Sequence, residues 1–95
     1  MPIYKLEFLP SAVKEWRRLD SSIRNQFSKK LHERLREPRV VSARLRELPD
    51  CYKIKLRSAG FRLIYQVKDE VLTDMVIAVG KREGAAAYKA AENRT

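Results

Sequence analysis

Only one cysteine, one histidine and three glycines occur in 95 residues, and no apolar run approaches the roughly 20 residues that span a membrane. The lone cysteine excludes an internal disulfide and points to a cytosolic compartment. Cys51 and His32 are the only soft metal ligands and fall on different elements, so neither a metal nor any other cofactor is expected. His32 sits among cations and reads as solvated surface. Cys51 opens a strand and reads as a small packing residue without a second thiol for redox work. Gly60 and Gly80 read as a turn and a strand-end feature, which leaves no glycine-rich phosphate loop. Met1-Pro2-Ile3-Tyr4-Lys5 has none of a signal peptide's apolar stretch, and neither repeats nor a linker interrupt the chain.

Negative charge is scarce as well. Asp and Glu number 12 against 21 Lys and Arg, a balance of +9 with a pI near 10.1. Such a surplus on a small chain favours a polyanionic partner, nucleic acid first and an acidic protein second. The 44% hydrophobic content supports a core, and the length suits a single domain over residues 1–95.

Hydrophobic periodicity sets out the elements. Pro2 to Leu9 alternates and predicts a first strand. Pro10-Ser11 opens a helix carrying Ala12, Val13, Trp16 and Leu19 on its inner side. After the capping sequence Asp20-Ser21-Ser22, the residues Ile23, Phe27, Leu31 and Leu35 recur every four positions and predict a second, amphipathic helix that Pro38 ends. Its other faces carry Lys29, Lys30, Arg34 and Arg36. Arg39 to Asp50 is irregular. Val71 to Val79 is apolar in both phases, as a strand covered on both sides would be, and Gly84 starts a short Ala-rich helix holding Tyr88. The predicted fold is α+β in the order β-α-α-β-β-β-α: a small, mostly antiparallel sheet with a helical hairpin on one face and a short C-terminal helix.

The chemistry concentrates between Cys51 and Arg82. In Cys51-Tyr52-Lys53-Ile54-Lys55-Leu56-Arg57 the period of two sends Tyr52, Ile54 and Leu56 one way and the three cations the other. Phe61 to Lys68 alternates in the same manner. With Ser58-Ala59-Gly60 as a hairpin turn the apolar faces must coincide, which pairing Leu56 with Leu63 and Arg57 with Arg62 achieves. Setting Val71, Met75, Ile77 and Val79 toward the core sends Arg82 to the side of Lys53 and Arg62, where Ala78 and Gly80 leave the face open; the opposite register reverses this. A solvated strand face is the bland alternative for the lysines, and pattern alone leaves Tyr88 between packing and function.

The blocks Leu45-Arg46-Glu47-Leu48-Pro49-Asp50-Cys51-Tyr52-Lys53-Ile54-Lys55-Leu56-Arg57-Ser58-Ala59-Gly60-Phe61-Arg62-Leu63-Ile64-Tyr65-Gln66-Val67 and Val79-Gly80-Lys81-Arg82-Glu83, the Tyr88 that follows, Lys14-Glu15-Trp16-Arg17 and Glu37-Pro38-Arg39 together resemble the RelE toxins of bacterial toxin–antitoxin pairs. The resemblance implies a ribosome-dependent endoribonuclease that enters the decoding site of the 70S ribosome and cuts messenger RNA within the exposed codon. It implies a catalytic set of Lys53, Lys55, Arg62, Arg82 and Tyr88, with Arg46 as a supporting RNA contact. Arg57, Lys29, Lys30, Arg34 and Arg36 would meet ribosomal phosphates. It further implies a RelB-like antitoxin that wraps the toxin at its C-terminal helix and brings the complex to operator DNA; no membrane partner is implied. A ParE-like gyrase poison and a non-catalytic RNA-binding module are the rival readings.

Overall fold

Proline at position 10 has no N–H to lose in a first helical turn, and α1 (Pro10–Arg17) starts there. α2 (Ser21–Arg36) begins after Asp20, whose extended backbone accepts the Arg24 N–H at 3.0 Å; the Asp20 carboxylate itself does not cap. Pro38 follows two residues after the helix ends. A computed structural model describes residues 3–95, so Pro2, the first residue of the predicted opening strand, lies outside it.

Four strands form one sheet in the order β1-β4-β3-β2. β1 (Lys5–Phe8) runs parallel to β4 (Thr73–Lys81), while β2 (Cys51–Leu56), β3 (Phe61–Lys68) and β4 are mutually antiparallel neighbours. Short 3₁₀ turns at Val41–Ala43, Asp69–Val71 and Glu83–Ala85 link the elements, and α3 (Ala86–Arg94) closes the chain. The predicted α+β order is therefore the observed one. Among the described residues, no helix is long and apolar enough to cross a membrane.

The sheet has a core on each face. α1, α2 and the link between them press Ala12, Leu19, Phe27 and Leu31 against Tyr52, Ile54, Leu63, Tyr65, Val76 and Val79. Burying Phe27 alone contributes about 2–3 kcal/mol. Trp16 bridges the helices to the sheet, with ring centroids 5.2 Å from Phe8 and 6.2 Å from Phe27. Tyr65 is wholly buried, so its hydroxyl needs partners. It donates to the Pro38 carbonyl at 2.6 Å and accepts from Arg34 Nη1 at 2.9 Å, and burial pushes its pKa up to about 12. On the opposite face Leu45, Leu48, Cys51, Ile64, Ile77 and Ala78 pack against Ala87 and Ala91 of α3.

Two strand registers depart from expectation. The hairpin pairs Leu56 with Phe61 and Lys55 with Arg62, two residues tighter than the predicted Leu56–Leu63 and Arg57–Arg62 pairs. Gly60 sets it: at φ +71 it adopts the left-handed conformation, and its N–H closes on the Leu56 carbonyl at 2.9 Å. A shift of two preserves side-chain parity, so the faces stay as expected. In β4 a bulge opposite Ile64 and Tyr65 breaks the single phase. Val76 and Val79 consequently face the α1–α2 core, Met75 and Ile77 join the α3 side, and Val71 is exposed in the turn before the strand.

Candidate active site

Three strands contribute one transverse row. Lys55 on β2 pairs with Arg62 on β3, and Arg62 pairs with Gly80 on β4. The next row is Lys53, Ile64 and Ala78. Lys53, Lys55 and Arg62 thus share the face opposite α1 and α2, as the period of two required. All three are half-buried. The ammonium of Lys53, then the guanidinium of Arg62, hold the Lys55 pKa below the usual lysine range, with some help from desolvation and from Arg57. A lysine so placed gives up its proton more readily than one in water.

The face is less open than Ala78 and Gly80 suggested. Their small side chains let α3 lie directly on β4, and a Cβ on Gly80 would stand 3.2 Å from the Ala87 nitrogen and 3.5 Å from the Ala86 Cβ. The cations therefore occupy only the hairpin end of the face, and the apolar remainder carries α3. Tyr88 follows Ala87 directly and is half-buried against this second cluster. The structure thereby brings the start of α3 onto the row that holds Lys55 and Arg62. Gly80→Val is expected to overpack this contact and destabilise the fold by about 1–3 kcal/mol, read by urea unfolding; an unchanged midpoint would mean that α3 yields freely.

Arg82 lies one residue beyond β4, exposed, with its N–H donating to the Gly60 carbonyl at 2.7 Å. It borders a cleft of about 580 Å³ shared with Ala59, Gly60, Phe61, Lys81 and Glu83, at the hairpin end of the sheet. Arg46 is exposed between the buried Leu45 and Leu48, which pin its loop to the α3 side. A second cleft of about 340 Å³ is edged by Lys30, Arg34, Lys53, Lys55 and Arg57. Exposed Lys29 and Arg36 stand outside it, elsewhere on α2.

Arg34, expected as a phosphate contact, also has a structural part. Its Nη1 donates to the Lys53 carbonyl at 3.2 Å as well as to Tyr65, so it braces β2 from the α2 side. Cys51 is fully buried and its thiol is pushed up to about 11, as a packing residue should be. Periodicity missed Ser42 and Ala43, which also line the second cleft from the 3₁₀ turn; small residues in an irregular loop carry no periodic signal.

A face of crowded cations with one depressed lysine, its remainder covered by the helix that carries Tyr88, can bind a phosphodiester, stabilise added charge on it and accept a proton. Residues 6–85 match the family model described as the ParE toxin of the parDE type II toxin–antitoxin system. The chain is 54% identical over 91 residues to a protein of Escherichia coli called mRNA interferase toxin RelE, covering 96% of each. It is equally similar, at 54% over 91 residues, to mRNA interferase RelE of Shigella flexneri. Among solved structures, a free-state mutant of E. coli toxin RelE superposes with a TM-score of 0.90 at 52% identity, covering 97% of both chains. The toxin in the intact E. coli RelBE toxin–antitoxin complex superposes with a TM-score of 0.82 at 56% identity, covering 84% of this chain and 98% of that one. On these grounds the chain belongs to the RelE toxins, within the RelE/ParE superfamily of type II toxin–antitoxin systems.

Proposed function

We propose that this protein is a ribosome-dependent endoribonuclease that cuts messenger RNA in the ribosomal A site and is neutralised by a RelB-like antitoxin. The observation that carries the reading is the row of Lys55 and Arg62, with Lys53 beside it, on the same sheet face where α3, the helix that carries Tyr88, rests on Gly80. The names of the relatives, mRNA interferases and the toxin of a RelBE complex, support it.

The ribose 2′-oxygen attacks the adjacent phosphorus, forming a new O–P bond as the bond to the 5′-oxygen of the next nucleotide breaks. The products are a 2′,3′-cyclic phosphate and a 5′-hydroxyl. Lys55, with its depressed pKa, acts with Tyr88 to take the 2′ proton. Lys53 and Arg62 stabilise the charge that builds on the phosphorane, and the planar fork of Arg62 matches two of its oxygens. Arg82, at the rim, stabilises the leaving 5′-oxygen, which takes its proton from water. A site without a conventional acid works poorly on free RNA, and the ribosome supplies the orientation that it lacks. Arg46, Arg57, Lys29, Lys30 and Arg36 meet ribosomal phosphates. The antitoxin, which supplies the DNA-binding part, lets the complex repress its own operon.

The test is cleavage of a defined message with a codon in the A site, with and without ribosomes, by the parent and by Arg82→Ala. The expected result is cutting inside the codon only with ribosomes, reduced at least about a hundredfold in the variant. No cutting by folded protein that still binds ribosomes would overturn the nuclease reading in favour of a binding module. Inhibition of gyrase would favour the ParE-like one.

A further inference from the structure

β1 stops at Phe8, where the chain turns into α1, so from Ile77 onward β4 has no neighbouring strand on that side. Backbone groups left at such an edge need other partners. Glu15 of α1 and Arg94 of α3 provide them. The Ile77 carbonyl accepts from Arg94 Nη1 at 2.9 Å, and the Val79 N–H donates to Glu15 Oε1 at 3.1 Å. The two side chains also pair in a fork, Nη1 to Oε1 at 2.8 Å and Nη2 to Oε2 at 3.1 Å. Both are three-quarters buried, at 23% and 25% side-chain exposure. One ion pair thus caps the sheet edge and joins three elements.

The position of this node in α3 gives it a further consequence. A nine-residue helix is unstable by itself. Its first turn rests on Gly80, and its last turn is held by Arg94. Tyr88 lies between the two attachments, about 9 Å along the helix axis from Arg94. We infer that Glu15 and Arg94 form a positioning latch that fixes α3, and through it the Tyr88 hydroxyl, over the cation row. Neither residue touches RNA. The inference rests on the nuclease reading above, because it gives the latch a reaction to serve.

Single-turnover cleavage on ribosomes, for the parent, Arg94→Ala, Tyr88→Phe and the double variant, tests it together with hydrogen exchange of α3. Arg94→Ala is expected to lower kcat by about ten- to a hundredfold with KM within about twofold. Amides of α3 are expected to exchange faster while those of β2 and β3 do not change. In the Tyr88→Phe background the Arg94 substitution is expected to cost little more, since both act through one hydroxyl. Glu15→Gln is expected to reproduce the kcat loss, and Arg94→Lys to recover part of it. Additive losses, or a kcat loss without faster α3 exchange, would overturn the latch. A parent that does not cleave would overturn the nuclease reading and the catalytic role of the latch, while the exchange data would still decide whether Arg94 holds α3.

Discussion

Asp74→Asn is expected to raise stability at pH 8 and to leave it nearly unchanged at pH 4. Asp74 lies on β4 between Leu6 and Val67, wholly buried, with neither carboxylate oxygen bonded to a partner among the described residues. Desolvation drives its pKa up to about 7; Arg34 and Arg39 pull it down and Asp69 pushes it up, but burial wins. The folded carboxyl therefore keeps its proton to about pH 7, whereas the unfolded one loses it near 3.8. Between those values the folded state binds the extra proton, so stability falls as pH rises, by about 1.4 kcal/mol per unit. The loss is complete above the folded pKa and absent below the unfolded one. Asparagine keeps the shape and never ionises. Its amide is no worse bonded than the protonated carboxyl it replaces, so most of the loss is recovered, on the order of 4 kcal/mol at pH 8. Urea unfolding at pH 4 and pH 8 reads the difference directly. An equal shift at both values would mean that Asp74 does not titrate in this range.

Arg62→Ala is expected to reduce ribosome-dependent cleavage by about 10²–10³ and, in addition, to move its pH dependence. The guanidinium stands opposite Lys55 and beside the small Gly80, so its removal exposes little of the core. Two effects follow from one deletion. The phosphorane loses a planar donor, which lowers the rate at every pH. Lys55 also loses the second-largest of the influences that depress it, so its pKa rises toward the ordinary lysine range. A base must be neutral to accept a proton, so the rising limb of the rate profile should shift to higher pH. Lys53→Ala should shift that limb further, because Lys53 is the largest influence. Tyr88→Phe should lower the rate without this shift. If the limb stays fixed in both cation variants, Lys55 is not the titrating base.

Much of this site was legible in the chain because a strand has a period of two. Lys53, Lys55 and Arg62 had to share a face in any register that keeps the apolar faces together, and they do. The register itself was degenerate in that pattern, since a two-residue slide keeps every side chain on its face; the left-handed turn at Gly60 decided it. The phase of β4 could not be read because one extra residue at Ile77 reverses it, and a bulge leaves no periodic mark. Ala78 and Gly80 were read as open space, whereas a strand of small residues is equally a bed for a helix. Glu15 and Arg94, 79 positions apart, look like ordinary surface charges until the sheet edge brings them together. Reading Val71 to Val79 as apolar in both phases passes over Asp74, although a single carboxylate within an apolar strand is a signal in itself.

The pairing of β1 with β4 also bears on when the protein becomes dangerous. The strand that the N-terminal segment needs is synthesised long after it, and the helix carrying Tyr88 comes later still. Contacts this distant in sequence form only once both partners are available. On the proposed function, a growing chain emerging from a ribosome holds its lysines and arginines without the sheet that aligns them. On that reading, a copy that still lacks β4 and α3 is expected to leave the ribosome making it unharmed.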